Sequence, residues 1–84
     1  MRVELFGIPR ERAGVASVDL DAATLGQLVT ALSTRFPGIR DLVTPSGFCP
    51  TVVANLNGDR FIQDPGTPIE EGDCVLVLSA DAGG

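Results

Sequence analysis

The segment Cys74-Val75-Leu76-Val77-Leu78 carries apolar side chains on both parities of an extended chain. A strand of that kind is normally central in its sheet and covered on both faces. Only the stretch from Thr24 to Phe36 has the spacing of a helix long enough to cover it. Thr24-Leu25-Gly26-Gln27 has capping-box spacing, in which the Thr hydroxyl accepts from the Gln27 backbone N–H and the Gln side chain reaches back. Leu25, Leu28, Val29, Leu32 and Phe36 then recur as one apolar stripe. Gln27, Thr30, Ser33, Thr34 and Arg35 make up most of the opposite side, and Pro37-Gly38 stops the helix. One narrow stripe covers one face of a sheet. The other face of the last strand is therefore expected to be left open or to be covered by another molecule.

The remaining elements follow from period and punctuation. Residues 2–7 alternate, with Val3 and Leu5 on one side and Arg2, Glu4 and Phe6 on the other. Pro9 and Gly14 break that strand, and the segment from Ile8 to Gly14 reads as a loop. Val15 to Leu20 reads as a weaker second strand that completes a hairpin. Ile39 to Val43 has the character of a short helical turn, and Thr44 to Pro50 that of a loop. Thr51 to Leu56 is a strand, Asn57-Gly58-Asp59 is a hairpin turn that tolerates positive φ, and Arg60 to Gln63 is the return strand. An irregular link and a Glu70-Glu71-Gly72-Asp73 turn lead into the last strand. The order is β-β-α-β-β-β, an α+β arrangement of a mixed sheet with one helix packed across one face. The first and last strands are expected to be parallel neighbours at its centre. The domain is expected to span residues 1–78, with residues 79–84 forming a flexible tail that ends in Gly83-Gly84.

Composition narrows the functional classes. A chain of 84 residues buries only roughly 60–65% of its unfolded surface, so a single core is expected. The chain is 44% hydrophobic with four Phe and no Trp or Tyr, and its mean hydropathy of +0.26 argues for a folded globule with an aliphatic core. A net charge of −5 and a pI near 4.3 argue against nucleic acid and against anionic membrane surfaces as partners. The same charge suits a basic protein partner. No run approaches a membrane span, and Met1-Arg2-Val3-Glu4 leads straight into an alternating strand rather than a signal sequence, so a cytoplasmic protein with reduced thiols is expected. Cys49 and Cys74, without His or a CxxC pair, do not form a zinc pattern.

The motifs, taken in order, resemble the MoaD/ThiS family of ubiquitin-like sulfur carriers. Met1-Arg2-Val3-Glu4-Leu5-Phe6-Gly7 is similar to the family's opening strand. Thr24-Leu25-Gly26-Gln27-Leu28 with Arg35-Phe36-Pro37-Gly38 is similar to its helix and helix stop. Leu56-Asn57-Gly58-Asp59 resembles its hairpin, Thr67-Pro68-Ile69-Glu70-Glu71-Gly72-Asp73-Cys74-Val75 its approach to the last strand, and Gly83-Gly84 its terminus. The segment from 38 to 50 is similar to the molybdopterin synthase small subunit and to cysteine-biosynthesis carriers, whereas Ser79-Ala80 stand where molybdopterin-type tails often have Pro-Pro.

The resemblance implies a β-grasp fold and a specific use of the tail. An activating enzyme would use ATP and Mg²⁺ to adenylate the Gly84 carboxylate, and a sulfurtransferase or cysteine desulfurase would supply the sulfur that replaces AMP. The resulting thiocarboxylate would deliver sulfur inside the large catalytic subunit of a molybdopterin-type synthase or another accepting enzyme. Gly83 has no Cβ and lets a partner approach the terminus closely. The carrier itself would bind no cofactor. Parity sends Phe6, Leu76 and Leu78 to the open face, a surface on which the family's partners dock, and Arg60 or Phe61 would extend it. Asp81 is placed to meet a basic channel. A ubiquitin-like modifier conjugated through Gly84, and a binding module with an inert tail, are the competing readings.

Overall fold

The computed structural model describes residues 1–80. Five strands form a mixed sheet in the order β2-β1-β7-β5-β6. They are β1 (Arg2–Leu5), β2 (Ser17–Asp19), β5 (Val52–Leu56), β6 (Arg60–Ile62) and β7 (Cys74–Ser79). β1 and β7 run parallel at its centre, with Val3 opposite Val75 and Leu5 opposite Val77. β1–β2, β5–β7 and β5–β6 are antiparallel. The expected order and the central parallel pair are both present.

Helix α2 (Leu25–Arg35) lies across one face and buries Leu25, Leu28, Val29 and Leu32. Its start is held as the spacing predicts. The Thr24 hydroxyl accepts from the Gln27 N–H at 3.2 Å, while Gln27 Oε1 accepts from the N–H of Ala23 at 2.8 Å. Against this stripe the sheet presents Val3, Leu5, Val52, Ala54, Leu56, Ile62, Val75 and Val77, all buried. Each Val, Leu or Ile among them contributes about 1.5–3 kcal/mol when removed from water. A short 3₁₀ helix (Pro37–Leu42) adds Ile39 and Leu42, and the two-residue strands β3 (Val43–Thr44) and β4 (Gly47–Phe48) form a separate hairpin. Asn57 and Gly58, with φ of 59° and 72°, make the tight turn between β5 and β6; Asp59 N–H closes it on the Leu56 carbonyl at 3.0 Å.

Three expectations are corrected. The segment from Thr44 to Pro50, read as a loop, holds part of the β3–β4 hairpin, with Thr44 opposite Gly47. The segment from Ile8 to Gly14, also read as a loop, holds most of helix α1 (Gly7–Ala13), a helix beyond α2 and the short helical turn expected over Ile39–Val43. Pro9 falls in the first turn of α1, where a missing N–H costs nothing, and Gly14 is its left-handed C-cap, donating to the Arg10 carbonyl at 2.9 Å. The domain also extends past the expected boundary at Leu78. Ser79 is the last residue of β7, pairs with Val52 and is buried, and the Ala80 N–H donates to the Thr51 carbonyl at 2.8 Å.

Candidate functional site

β7 separates two environments by parity. Val75, Val77 and Ser79 point inward and are buried, while Cys74, Leu76 and Leu78 are half-buried on the opposite face. Paired residues on neighbouring strands share a face. Glu4 on β1 lies opposite Leu76, Leu76 opposite Asn55, and Asn55 opposite Phe61 on β6. One transverse row of the open face therefore reads Glu4, Leu76, Asn55, Phe61. Leu78 lies opposite Val53 on the same face. Phe6 continues β1 in extended conformation, and its N–H donates to the Val77 carbonyl at 2.9 Å. Its parity with Glu4 puts it beside the same surface, 41% exposed, and Phe61 is 60% exposed.

The structure thus brings Phe6, Leu76, Leu78 and Phe61 to one face. The choice between Arg60 and Phe61 is resolved by register, because Arg60 pairs with Leu56 and takes the opposite parity. Asp81, Gly83 and Gly84 lie outside the described residues.

Two residues at this site carry roles that the sequence reading missed. Ser79 ties the root of the tail to α1: its Oγ accepts from the Ile8 N–H at 3.0 Å. Gly7 makes that approach possible, since a Cβ there would stand 2.7 Å from Ser79 Oγ. The inward parity that Ser79 shares with Val75 and Val77 was the available signal. Asn55 is the second. Its Oδ1 is buried and accepts no hydrogen bond from the described residues. Its position between Leu76 and Phe61 depends on the register of three strands, so no local signal could place it.

The remaining polar groups build turns and edges. Asp73 accepts from Asn57 Nδ2 at 3.0 Å and from the Glu70 N–H at 2.8 Å. The Asn57 bond first, then the Glu70 N–H and the charge of Arg60, hold its carboxyl below its ordinary range, more than offsetting desolvation. Asn57 Oδ1 in turn accepts from the Cys74 N–H at 2.8 Å, which ties the β5–β6 turn to the start of β7. The acidic turn is therefore a structural clamp. Burial, followed by the adjacent Glu4 carboxylate, pushes the Cys74 thiol up, so it stays protonated on the open face with Sγ 3.4 Å from Glu4 Oε2. A concavity between the β3–β4 hairpin and β5–β6 has a volume of about 670 Å³, and Cys49 is its one titratable lining residue among the described residues. Among the described residues no group of three or more His, Cys, Asp or Glu is placed to hold a metal. None of the described helices is long and apolar enough to cross a membrane.

The model of the ThiS family matches residues 3–84, nearly the whole chain. The chain belongs to the ThiS family. Its members are ubiquitin-like sulfur carriers or modifiers, and the β-grasp sheet with α2 across it is their architecture. No curated protein matches the chain in sequence. Solved structures do match in fold. CysO of Mycobacterium tuberculosis is 29% identical, with 94% of this chain and 97% of that one covered and a TM-score of 0.78. The CysO of Amycolatopsis orientalis, solved in a BexX/CysO complex, is 25% identical, with 99% and 98% covered and a TM-score of 0.80. SAMP1 of Haloferax volcanii, at 24% identity, 99% and 97% coverage and a TM-score of 0.81, has the same fold.

Proposed function

We propose that this ThiS-family domain is a sulfur carrier that works through the carboxylate of Gly84. The observation that carries the reading is a family match that runs through Gly83 and Gly84 rather than stopping at the folded domain. In this reading the Gly84 carboxylate attacks the α-phosphorus of ATP and releases pyrophosphate. The outer sulfur of a persulfide on a sulfurtransferase or cysteine desulfurase then displaces AMP to give an acyl disulfide, and a second thiol cleaves its S–S bond, leaving the thiocarboxylate and a disulfide. ATP and Mg²⁺ belong to the activating enzyme. The domain contributes docking, through Phe6, Leu76, Leu78 and Phe61, and the tether raises the effective concentration of the terminus in the partner's active site. In the sequence Asp81 stands three residues before Gly84, and in this reading its carboxylate would contact a basic channel.

The sulfur acceptor in the leading reading is a molybdopterin precursor held by a large synthase subunit, supported by the similarity of residues 38–50 to the molybdopterin synthase small subunit. Ser79-Ala80 in place of Pro-Pro, together with the likeness to two CysO proteins, favours a carrier of the cysteine-biosynthesis type as the second reading. The likeness to SAMP1 raises a third use of the same adenylate, conjugation to protein amines.

Intact mass of the protein purified from its own host, without harsh acid, tests the reading. A fraction heavier by the exchange of one oxygen for sulfur is expected, and it should vanish when Gly84 is deleted. An unmodified carboxylate in every preparation, including after incubation with ATP and host extract, would overturn the carrier role. Gly84-dependent isopeptide ladders without thiocarboxylate would assign the modifier role instead.

A further inference from the structure

The open face contains one feature that an apolar patch does not need. At its middle, between Leu76 and Phe61, stands the amide of Asn55. Its Oδ1 is buried and unpaired among the described residues. A buried acceptor without a partner costs about 1–3 kcal/mol, a penalty that an aliphatic residue at this position would avoid. Such an orphan calls for an explanation beyond the fold of the isolated domain. Half-buried as a residue, Asn55 can bring Oδ1 outward by turning its terminal torsion, which is soft, with Nδ2 taking the inward place.

We infer that Asn55 is a specificity residue of the docking face, and that the protein partner covering this face presents an arginine to it. This deepens the docking role proposed above and rests on it. The chemistry of the face selects the donor. On one side of Asn55 is the exposed ring of Phe61, 60% accessible. On the other, beyond Leu76, is the carboxylate of Glu4. Strand pairing also puts Arg2 and Asp19 on this side of the sheet. Arg2 lies 3.7 Å from Glu4, so one negative charge remains in excess on a chain of net charge −5. A planar guanidinium can donate to Oδ1 and lie against the Phe61 ring at once, which a neutral amide or a point-charge ammonium does less well. Complementary charge also speeds encounter and rejects acidic surfaces.

Carrier-dependent exchange of labelled pyrophosphate into ATP tests this inference, in desalted extract of host cells that lack the carrier. Purified full-length carrier is titrated, so that KM reads docking and kcat reads the chemistry at Gly84. Asn55→Leu removes the amide, and its stability in urea is expected to equal or exceed wild type. Its KM is expected to rise about tenfold, equivalent to about 1.4 kcal/mol, with kcat unchanged. Asn55→Asp keeps the acceptor and adds charge. Its KM is expected at or below wild type in low salt, rising more steeply as salt is added. An Asn55→Leu KM at or below wild type would overturn the inference, as would an Asn55→Asp KM raised as far as that of Asn55→Leu. Self-association of the wild type in sedimentation, lost in Asn55→Leu, would also overturn it by making a second copy the occupant. Absence of Gly84-dependent exchange with wild-type carrier would instead remove the carrier reading itself.

Discussion

Replacement of Gly7 by alanine tests the clamp at the root of the tail. Gly7 has φ of +60°, a left-handed conformation that costs a residue with a Cβ about 1–2 kcal/mol. The added Cβ would also stand 2.7 Å from Ser79 Oγ and 3.4 Å from Ser79 Cβ. Ser79 is buried and its hydroxyl is held by the Ile8 N–H, so it cannot swing into open space. Displacing it forfeits that hydrogen bond, a further loss of about 1 kcal/mol. The expected total for Gly7→Ala is therefore about 2–3 kcal/mol, read as a fall of about 2–3 M in the urea midpoint at a slope near 1 kcal/mol/M. Ser79→Ala alone leaves the Ile8 N–H unpaired and should cost about 1 kcal/mol. The decisive measurement is the double-mutant cycle. With Ser79→Ala already in place the collision is gone, only the backbone term remains, and Gly7→Ala should cost about 1 kcal/mol less than in the wild type. An equal cost in both backgrounds would refute the contact and leave backbone strain as the whole effect.

Two further predictions concern the frame of the site. Thr24→Ala removes the α2 cap and should cost about 1 kcal/mol, a fall in Tm of about 4–8 °C for a domain of this size, while Thr24→Ser keeps the hydroxyl and most of the Tm; equal melting of wild type and Thr24→Ala would show that the cap carries no stability. Asp73 is the acid-sensitive element. Its folded pKa lies below the ordinary value of 3.8, so its contribution is fully present above the unfolded value and is lost as pH falls through the folded one. The stability difference between wild type and Asp73→Asn, measured by urea unfolding, should therefore be constant near neutrality and shrink below pH 3.8; a difference that persists undiminished in strong acid would refute the role of the carboxylate.

Much of this architecture was legible because period-two parity survives folding. Val3, Leu5, Val75 and Val77 were expected inward and are buried, which sends Leu76 and Leu78 to the other face. The capping box and the Asn57-Gly58 turn were equally readable, since each is decided within four residues. Helix α1 was not. At seven residues, with Pro9 its one buried residue, it shows no apolar periodicity. Pro9 and Gly14 read as breakers, although proline just inside a helix and glycine just past its end are also start and stop signals. Ser79 was missed because a hydroxyl after an apolar run reads as the beginning of a polar tail. The N–H that satisfies it comes from Ile8, at the other end of the chain.

The distribution of apolar residues over β7 bears on function independently of any resemblance. The core requires Val75 and Val77, which belong to the same buried cluster as the α2 residues Leu28 and Leu32 and have no accessible surface. It does not require Leu76 and Leu78, whose outward parity removes them from that core. Polar or β-branched polar residues there would satisfy the fold and improve solubility. The sheet edges are guarded in a way that its face is not. β2 and β6 are three residues each, with Asp19 and Arg60 at their ends, and offer little template for strand addition. The guarded edges favour the proposed docking on the face over strand addition. On that face Leu76 and Leu78 supply apolar area, Glu4 supplies charge, and the unpaired amide of Asn55 sets a directional demand in the middle. Apolar area alone would favour any greasy surface, including a second copy of the chain. In the proposed complex a partner that draws Oδ1 outward and donates to it gains a hydrogen bond the free domain lacks, which is how a small face distinguishes one partner from many.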